Sequence, residues 1–345
     1  MAEINLDNSR LTDIDFSESD AAYLCLNKKV IIDSHFGPKS YKEIEACEAI
    51  FKNCHFENLS LINGNLQKTF FNECTFSNMK FIDCDLKQSH FKNCTFENVA
   101  LNASQLVRAS FIDGKFQQLE MDSCDLASAD ISGVNMVDCQ FNSCNFSLTK
   151  LRTATLVDCS FSESKLTKTN SSNSKFENCQ WRNVCLNQTT FINSELKLAN
   201  FEAVAEIQQV SFIQCNLEEA SFQGLRSETL NFLNANLIKA NLASLYAPMS
   251  QFANAKLSKA NMELADLQFS NFNNAVLTSA DCTKANLSYS NLTNTNIDQT
   301  NFTRANLKTC DVHNAQGEPI FSSTNKEGLR QTNQQKLKAE NWSYV

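Results

Sequence analysis

The chain has 345 residues, enough for one large domain or two ordinary ones, with 38 acidic against 30 basic side chains and a formal net charge of −8. That balance argues against a general nucleic-acid binder, which carries a basic excess. Gly numbers 7 and Pro 3, so ordinary turn punctuation is nearly absent, while abundant Asn and Ser argue against a helical bundle.

At the N-terminus, residues 1–50 hold ten acids against five bases. MAEINLDNSRLTDIDF lacks an apolar h-region, and no apolar run approaches about 18 residues. The expectation is a protein without signal peptide or membrane span, cytoplasmic by default, with export by a signal-less route left open. Apolar residues at a five-residue spacing begin with Leu6, Leu11, Phe16, Leu26 and Ile31, which suggests a first, imperfect coil. Over 28–50 the pattern weakens. Lys28 to Ile32 reads as a strand and Gly37-Pro38 as a turn. Ser40 to Ala49 reads as a short helix with Ser40 at the N-cap and Glu43 completing a capping box. Residues 28–50 are therefore expected to form a cap or protruding loop.

From Phe51 the rhythm is unbroken. Every fifth residue through Phe201 is apolar except Ser171, 31 positions in all. A period of five fits neither the 3.6 of a helix nor the 2 of an open strand. A one-residue insertion between about 202 and 211 shifts the phase, and 22 further units run from Ile207 to Val312. The rhythm weakens at 202–211, 223–231 and 244–249, which are expected as bulges or small loops. After Val312 the repeat stops. The polar tail at 329–342 is expected to cap the last coil or to make a dimer contact.

Two residues before each centre the side chain is small. Cys54, Cys74, Cys84, Cys94, Cys139 and Cys159 stand there first, and Ala235, Ala240, Ala255 and Ala260 later. The intervening residue is polar, as in Asn236, Asn241 and Asn306. Stretches such as Ala235-Asn236-Leu237 and Ala305-Asn306-Leu307 closely resemble the pentapeptide-repeat family, A(D/N)LXX, over about 51–312. The resemblance implies an all-β fold, a right-handed quadrilateral β-helix with four pentapeptides per coil. The sequence carries its own twenty-residue signal, with Phe at 51, 71, 91 and 111, Phe at 56, 76, 96 and 116, and Leu at 66, 86, 106 and 126. Stacked at strand spacing, about 13 coils would give a rod of about 60 Å. The division read from the sequence is 1–50 partial coil and cap, 51–201 first phase, 202–312 second phase of the same solenoid, and 313–345 cap and tail.

Fifteen cysteines invite a metal or disulfide reading. Eleven occupy the small interior position and Cys282 a centre, where a free thiol serves as a small hydrophobe. Their number favours a reducing compartment. His55 and His90 take the polar slot beside a centre and read as solvated. Paired acids such as Glu218-Glu219 read as solvated faces. No catalytic, cofactor-binding or metal-ligating residue is expected, and no cofactor. The function expected is a non-enzymatic binding or scaffold surface for a protein partner, with no membrane span and no direct nucleic-acid contact. Two special cases stay open. One is a bacterial secreted effector or secretion-system accessory. The other is a protector of DNA gyrase that imitates duplex DNA, as family relatives do, although the dense acidic stripe this requires is missing. A homodimer through the tail is a further alternative.

Overall fold

One conformational device turns the chain at nearly every fifth residue. In the computed structural model, which describes residues 9–18 and 23–340, the second residue after most centres lies in the left-handed region. Examples are Asn53 (φ 52°), Asn78 (φ 49°), Asn234 (φ 59°) and Asn294 (φ 57°). Asn tolerates this conformation better than other non-glycine residues. That is how a chain with so few Gly and Pro bends so often.

The chain divides into two units, residues 1–185 and 186–345. Four pentapeptides close a turn, and the fold is a right-handed quadrilateral β-helix, as the sequence predicts.

In the first unit, one side is a parallel sheet of six strands in chain order: Arg10–Thr12, Val30–Ile32, Ile50–Lys52, Phe70–Asn72, His90–Lys92 and Ser110–Ile112. The register is 20 residues throughout, for example Phe71↔Phe91 and Phe91↔Phe111. Three eight-residue strands, Thr75–Ile82, Thr95–Asn102 and Lys115–Asp122, bend around a corner and serve two sides at once. Inside, the columns stack like on like. Phe71 and Phe91 lie 4.7 Å apart with rings 6° from parallel, and Phe91 and Phe111 repeat this at 4.7 Å and 2°. The adjoining column Phe56, Phe76, Phe96 and Phe116 meets it edge to face, as between Phe71 and Phe76 at 5.3 Å. Both arrangements are favoured by the ring quadrupole, and each buried Phe or Leu contributes about 2 kcal/mol.

The second unit uses tight turns. Ala235 N–H donates to Phe232 O at 3.0 Å, and Ala275 N–H donates to Phe272 O at 2.9 Å. With φ positive at Asn234 and Asn274, these are type II turns. The polar residue before each centre has a structural task of its own. Asn291 Oδ1 accepts the N–H of Thr293 at 3.0 Å, while its Nδ2 donates to Asn271 Oδ1 in the preceding coil at 3.2 Å. Asn306 and Asn286 repeat the inter-coil bond at 3.0 Å. The amide thus satisfies a turn donor and ties two coils together.

Several expectations are corrected. Ser40 to Ala49 is not a helix, and 28–50 is not a protruding loop. Ser40–Lys42 is a strand in register with Ser60–Ile62, and Tyr41, Ile44, Ala46 and Ala49 are buried. The small-residue pattern fails here because sizes are exchanged: Ile44 fills the small position while Ala46 takes the centre. The same exchange explains 223–231 and 244–249. Leu225 with Ser227 and Leu245 with Ala247 are all buried, and Arg226 pairs Tyr246 in regular register. Total interior volume is conserved, which is what a packed core requires. The stretch from Val204 to Ile207 does hold an extra residue. Ala205 and Glu206 both face outward where one residue would do, and the register becomes 21, as in Thr190↔Ser211.

Past Val312 the winding continues rather than stops. Asn296 pairs Gln316, then Asn301 pairs Ile320 and Asp311 pairs Arg330, one residue short. The shortening falls at Gly317 (φ 106°), where any β-carbon would collide with the backbone of Asp298. The tail forms helix α1, Gln334–Glu340, with Asn333 Oδ1 accepting the N–H groups of Gln335 and Lys336 as N-cap. Leu6, expected in the first coil, and the last two residues of the 329–342 tail lie outside the described residues.

Candidate functional site

With centres and small positions turned inward, three residues of every five face outward and repeat at coil spacing. The surface is therefore a set of ladders, and function must be read from what the ladders carry.

The residues that invite a chemical reading have structural partners. Glu218 pairs with Lys197 at 3.2 Å and Glu219 with Lys239 at 2.8 Å. The Lys239 hydrogen bond and charge hold the Glu219 carboxyl below its ordinary value. All fifteen cysteines are free thiols. Nearly all of those in the small position point their sulfur at backbone carbonyls, as Cys84 does at Leu61 O at 3.3 Å. Burial pushes the Cys84 thiol up to about 11 and those of Cys215 and Cys310 up to about 12, which leaves them without nucleophilic thiolate near neutrality. Among the described residues no cluster of His, Cys, Asp and Glu could hold a metal ion.

Of the histidines, His55 and His90 are exposed. His55 Nδ1 lies 2.7 Å from Thr75 Oγ1, and His90 stacks on Phe70 at 4.6 Å, 17° from parallel. The other two are held by carboxylates. His35 sits between Asp15 (Nδ1, 3.3 Å) and Glu57 (Nε2, 3.2 Å). His313 stands in an outward position yet is only 3% exposed. Its Nδ1 accepts the N–H of Asn333 at 3.1 Å, and Nε2 lies 3.0 Å from Glu340. The pentapeptide code places His313 outside. Only the returning tail buries it, and nothing in the repeat signals that contact.

Two ladders depart from the polar rule. In the first unit Ile50 and Phe70 stand half exposed above one another and are continued by His90. In the second unit Met249, Phe269 and Tyr289 occupy the same corner of successive coils, 57%, 54% and 47% exposed, with the Phe269 and Tyr289 rings 5.0 Å apart.

Two family models match the chain: a pentapeptide repeat region over 64–137 and 134–205, and pentapeptide repeats in eight copies over 46–78, 250–281 and 280–316. The chain belongs to the pentapeptide-repeat family. No curated protein matches it. Among solved structures this pentapeptide-repeat protein is similar to HetL, involved in heterocyst differentiation regulation in the cyanobacterium Nostoc sp. strain PCC 7120. Identity is 19%, over 64% of this chain and 87% of HetL, at a TM-score of 0.27. It is also similar to QnrB1, a plasmid-mediated fluoroquinolone resistance protein, at 17% identity over 71% of this chain and 97% of QnrB1, with a TM-score of 0.25. No helix among the described residues is long and apolar enough to cross a membrane.

Proposed function

We propose that this chain is a non-enzymatic binding protein that engages a protein partner through a lateral face. The observation that carries the reading is the Ile50, Phe70 and His90 ladder. It sets apolar and aromatic surface in water on an otherwise polar solenoid side, and such patches mark interaction surfaces. A face of this kind needs no moving part, since the stacked coils hold it rigid.

The ladders favour this generic reading over imitation of duplex DNA. Along one column of the first unit, acids alternate with amides: Glu45, Asn65, Asp85, Gln105, Asp125 and Asn145. Acids two coils apart are separated by about 9.6 Å, whereas duplex DNA carries one charge per about 1.7 Å of axis.

The test is quantitative capture from lysate by the immobilised full chain and by Phe70→Asp. A partner retained by the first and lost by the second is expected. Identical capture by both would sink the reading. Gyrase supercoiling assays with and without quinolone are expected to show no protection.

A further inference from the structure

The corner that holds Met249, Phe269 and Tyr289 requires φ near +60° (58°, 60° and 61°). The next corner of the same coils meets that demand with asparagine at 254, 274 and 294. Bulky residues are disfavoured in this region, and here about half of each side chain lies in water. Neither backbone preference nor burial within the unit accounts for them.

The ladder also has a direction. Beside it runs the column Glu228, Pro248, Gln268, Ser288 and Lys308, acidic at one end and basic at the other. Take a two-fold axis in the plane of contact, crossing the ladder at Phe269. It sets each column of one copy against the same column of the second, reversed. Met249 then meets the partner's Tyr289, Phe269 meets the partner's Phe269, and Glu228 meets the partner's Lys308. Residues 228 and 308 are each two coils from 268, so both ends match at once. Among the described residues Glu228 has no ion-pair partner, while Lys308 holds only Glu327, at 3.1 Å. The repeat length favours the same occupant. Side chains that recur every 5.0 Å interdigitate along their whole length only with a surface of equal repeat, and another stack of coils has it. A parallel pairing would match the repeat but leave both charges without a counterpart.

We propose that Met249, Phe269 and Tyr289 form the centre of an isologous interface with a second copy of this chain, the two ladders running antiparallel. The interface is self-complementary, apolar at its middle and ionic at its two ends, as a closed two-fold contact requires.

The test is the mass of the full chain in solution by light scattering and sedimentation velocity across a concentration series. A species of twice 38.7 kDa is expected. Phe269→Asp replaces the central ring with a residue that tolerates the left-handed corner, so it folds, as circular dichroism will verify. It is expected to raise the dimer dissociation constant by about tenfold or more, the equivalent of about 1.4 kcal/mol. Glu228→Lys and Lys308→Glu are each expected to weaken the dimer, and the double charge reversal to restore it, because each ionic end is then rebuilt with opposite signs. Phe321→Asp, near the C-terminal tail, is expected to change nothing. A monomer at every concentration, a dimer indifferent to Phe269→Asp, or a double reversal no better than the singles would overturn the proposal.

Discussion

Gly64 faces Ile44 across one coil spacing, so closely that a β-carbon on the glycine would lie 2.7 Å from Ile44 Cγ2. Gly64 occupies the small position before Leu66, and Ile44 is the oversized member of the exchanged pair Ile44 and Ala46. The larger side chain below thus requires a glycine above it. Gly64→Ala is expected to destabilise the first unit by about 1–3 kcal/mol through overpacking. Ile44→Ala alone is expected to cost about 2–5 kcal/mol through the cavity it leaves. Combined, the two should cost less than their sum by about 1 kcal/mol. A double-mutant cycle from urea unfolding measures this, and strict additivity would show that the two sites do not share space.

That pair also marks where the sequence was readable. The inward positions from Phe51 to Phe201 follow from the five-residue period, and the stacking of Phe71 on Phe91 from the recurrence of Phe every twenty residues at 51, 71, 91 and 111. At Ile44 and Ala46, Leu225 and Ser227, and Leu245 and Ala247, the pattern failed although the fold did not. The core constrains summed volume, while a residue pattern registers size position by position. The continuation past Val312 was hidden for a different reason. There Phe321, stacked on Phe302 at 5.5 Å, is a lone apolar centre among Gly317, Lys326 and Gln331, and backbone pairing with the coil before carries the winding. The site was less legible still. Exposed Phe70 and Phe269 are invisible to a code that specifies only what points inward.

Within a column, each ring is held by those above and below. Phe91 has Phe71 and Phe111 each at 4.7 Å. Phe91→Ala is expected to cost about 3–5 kcal/mol, and Phe70→Ala, on the surface, less than about 0.5 kcal/mol. Because coils interact mainly with neighbours, hydrogen exchange should accelerate most over residues 70–115. Uniform acceleration through 10–185 would indicate instead that the first unit opens as one cooperative block.

The thiols should separate into two groups in a labelling experiment. Cys25 is exposed, Cys47 and Cys185 are half-buried, and the other twelve are buried. Burial raises the Cys84, Cys215 and Cys310 thiols to about 11–12, and it raises Cys282 as well. At pH 8 the native chain should modify Cys25 first, Cys47 and Cys185 more slowly, and the remainder only after denaturant is added. Rapid labelling of Cys84 or Cys215 in the native state would contradict the packing described.

The tail contact should depend on acid. The hydrogen bond from His313 lowers the Glu340 carboxyl below its ordinary value, with the Lys336 charge adding to the effect. A carboxyl lowered in the folded state stabilises that state fully above its ordinary range and loses the contribution as pH falls through the lowered value. Helix α1 buries no residue of its own, so the His313 contacts to Glu340 and to Asn333 N–H carry much of its attachment. Hydrogen exchange of residues 334–340, corrected for intrinsic rates, should therefore lose protection as pH falls below the ordinary carboxylate range. Glu340→Gln should have weaker protection at neutral pH and no loss across the acid window, with residues 232–300 unaffected in both proteins. If the variant keeps the wild-type acid transition, the carboxylate is not what fastens the tail.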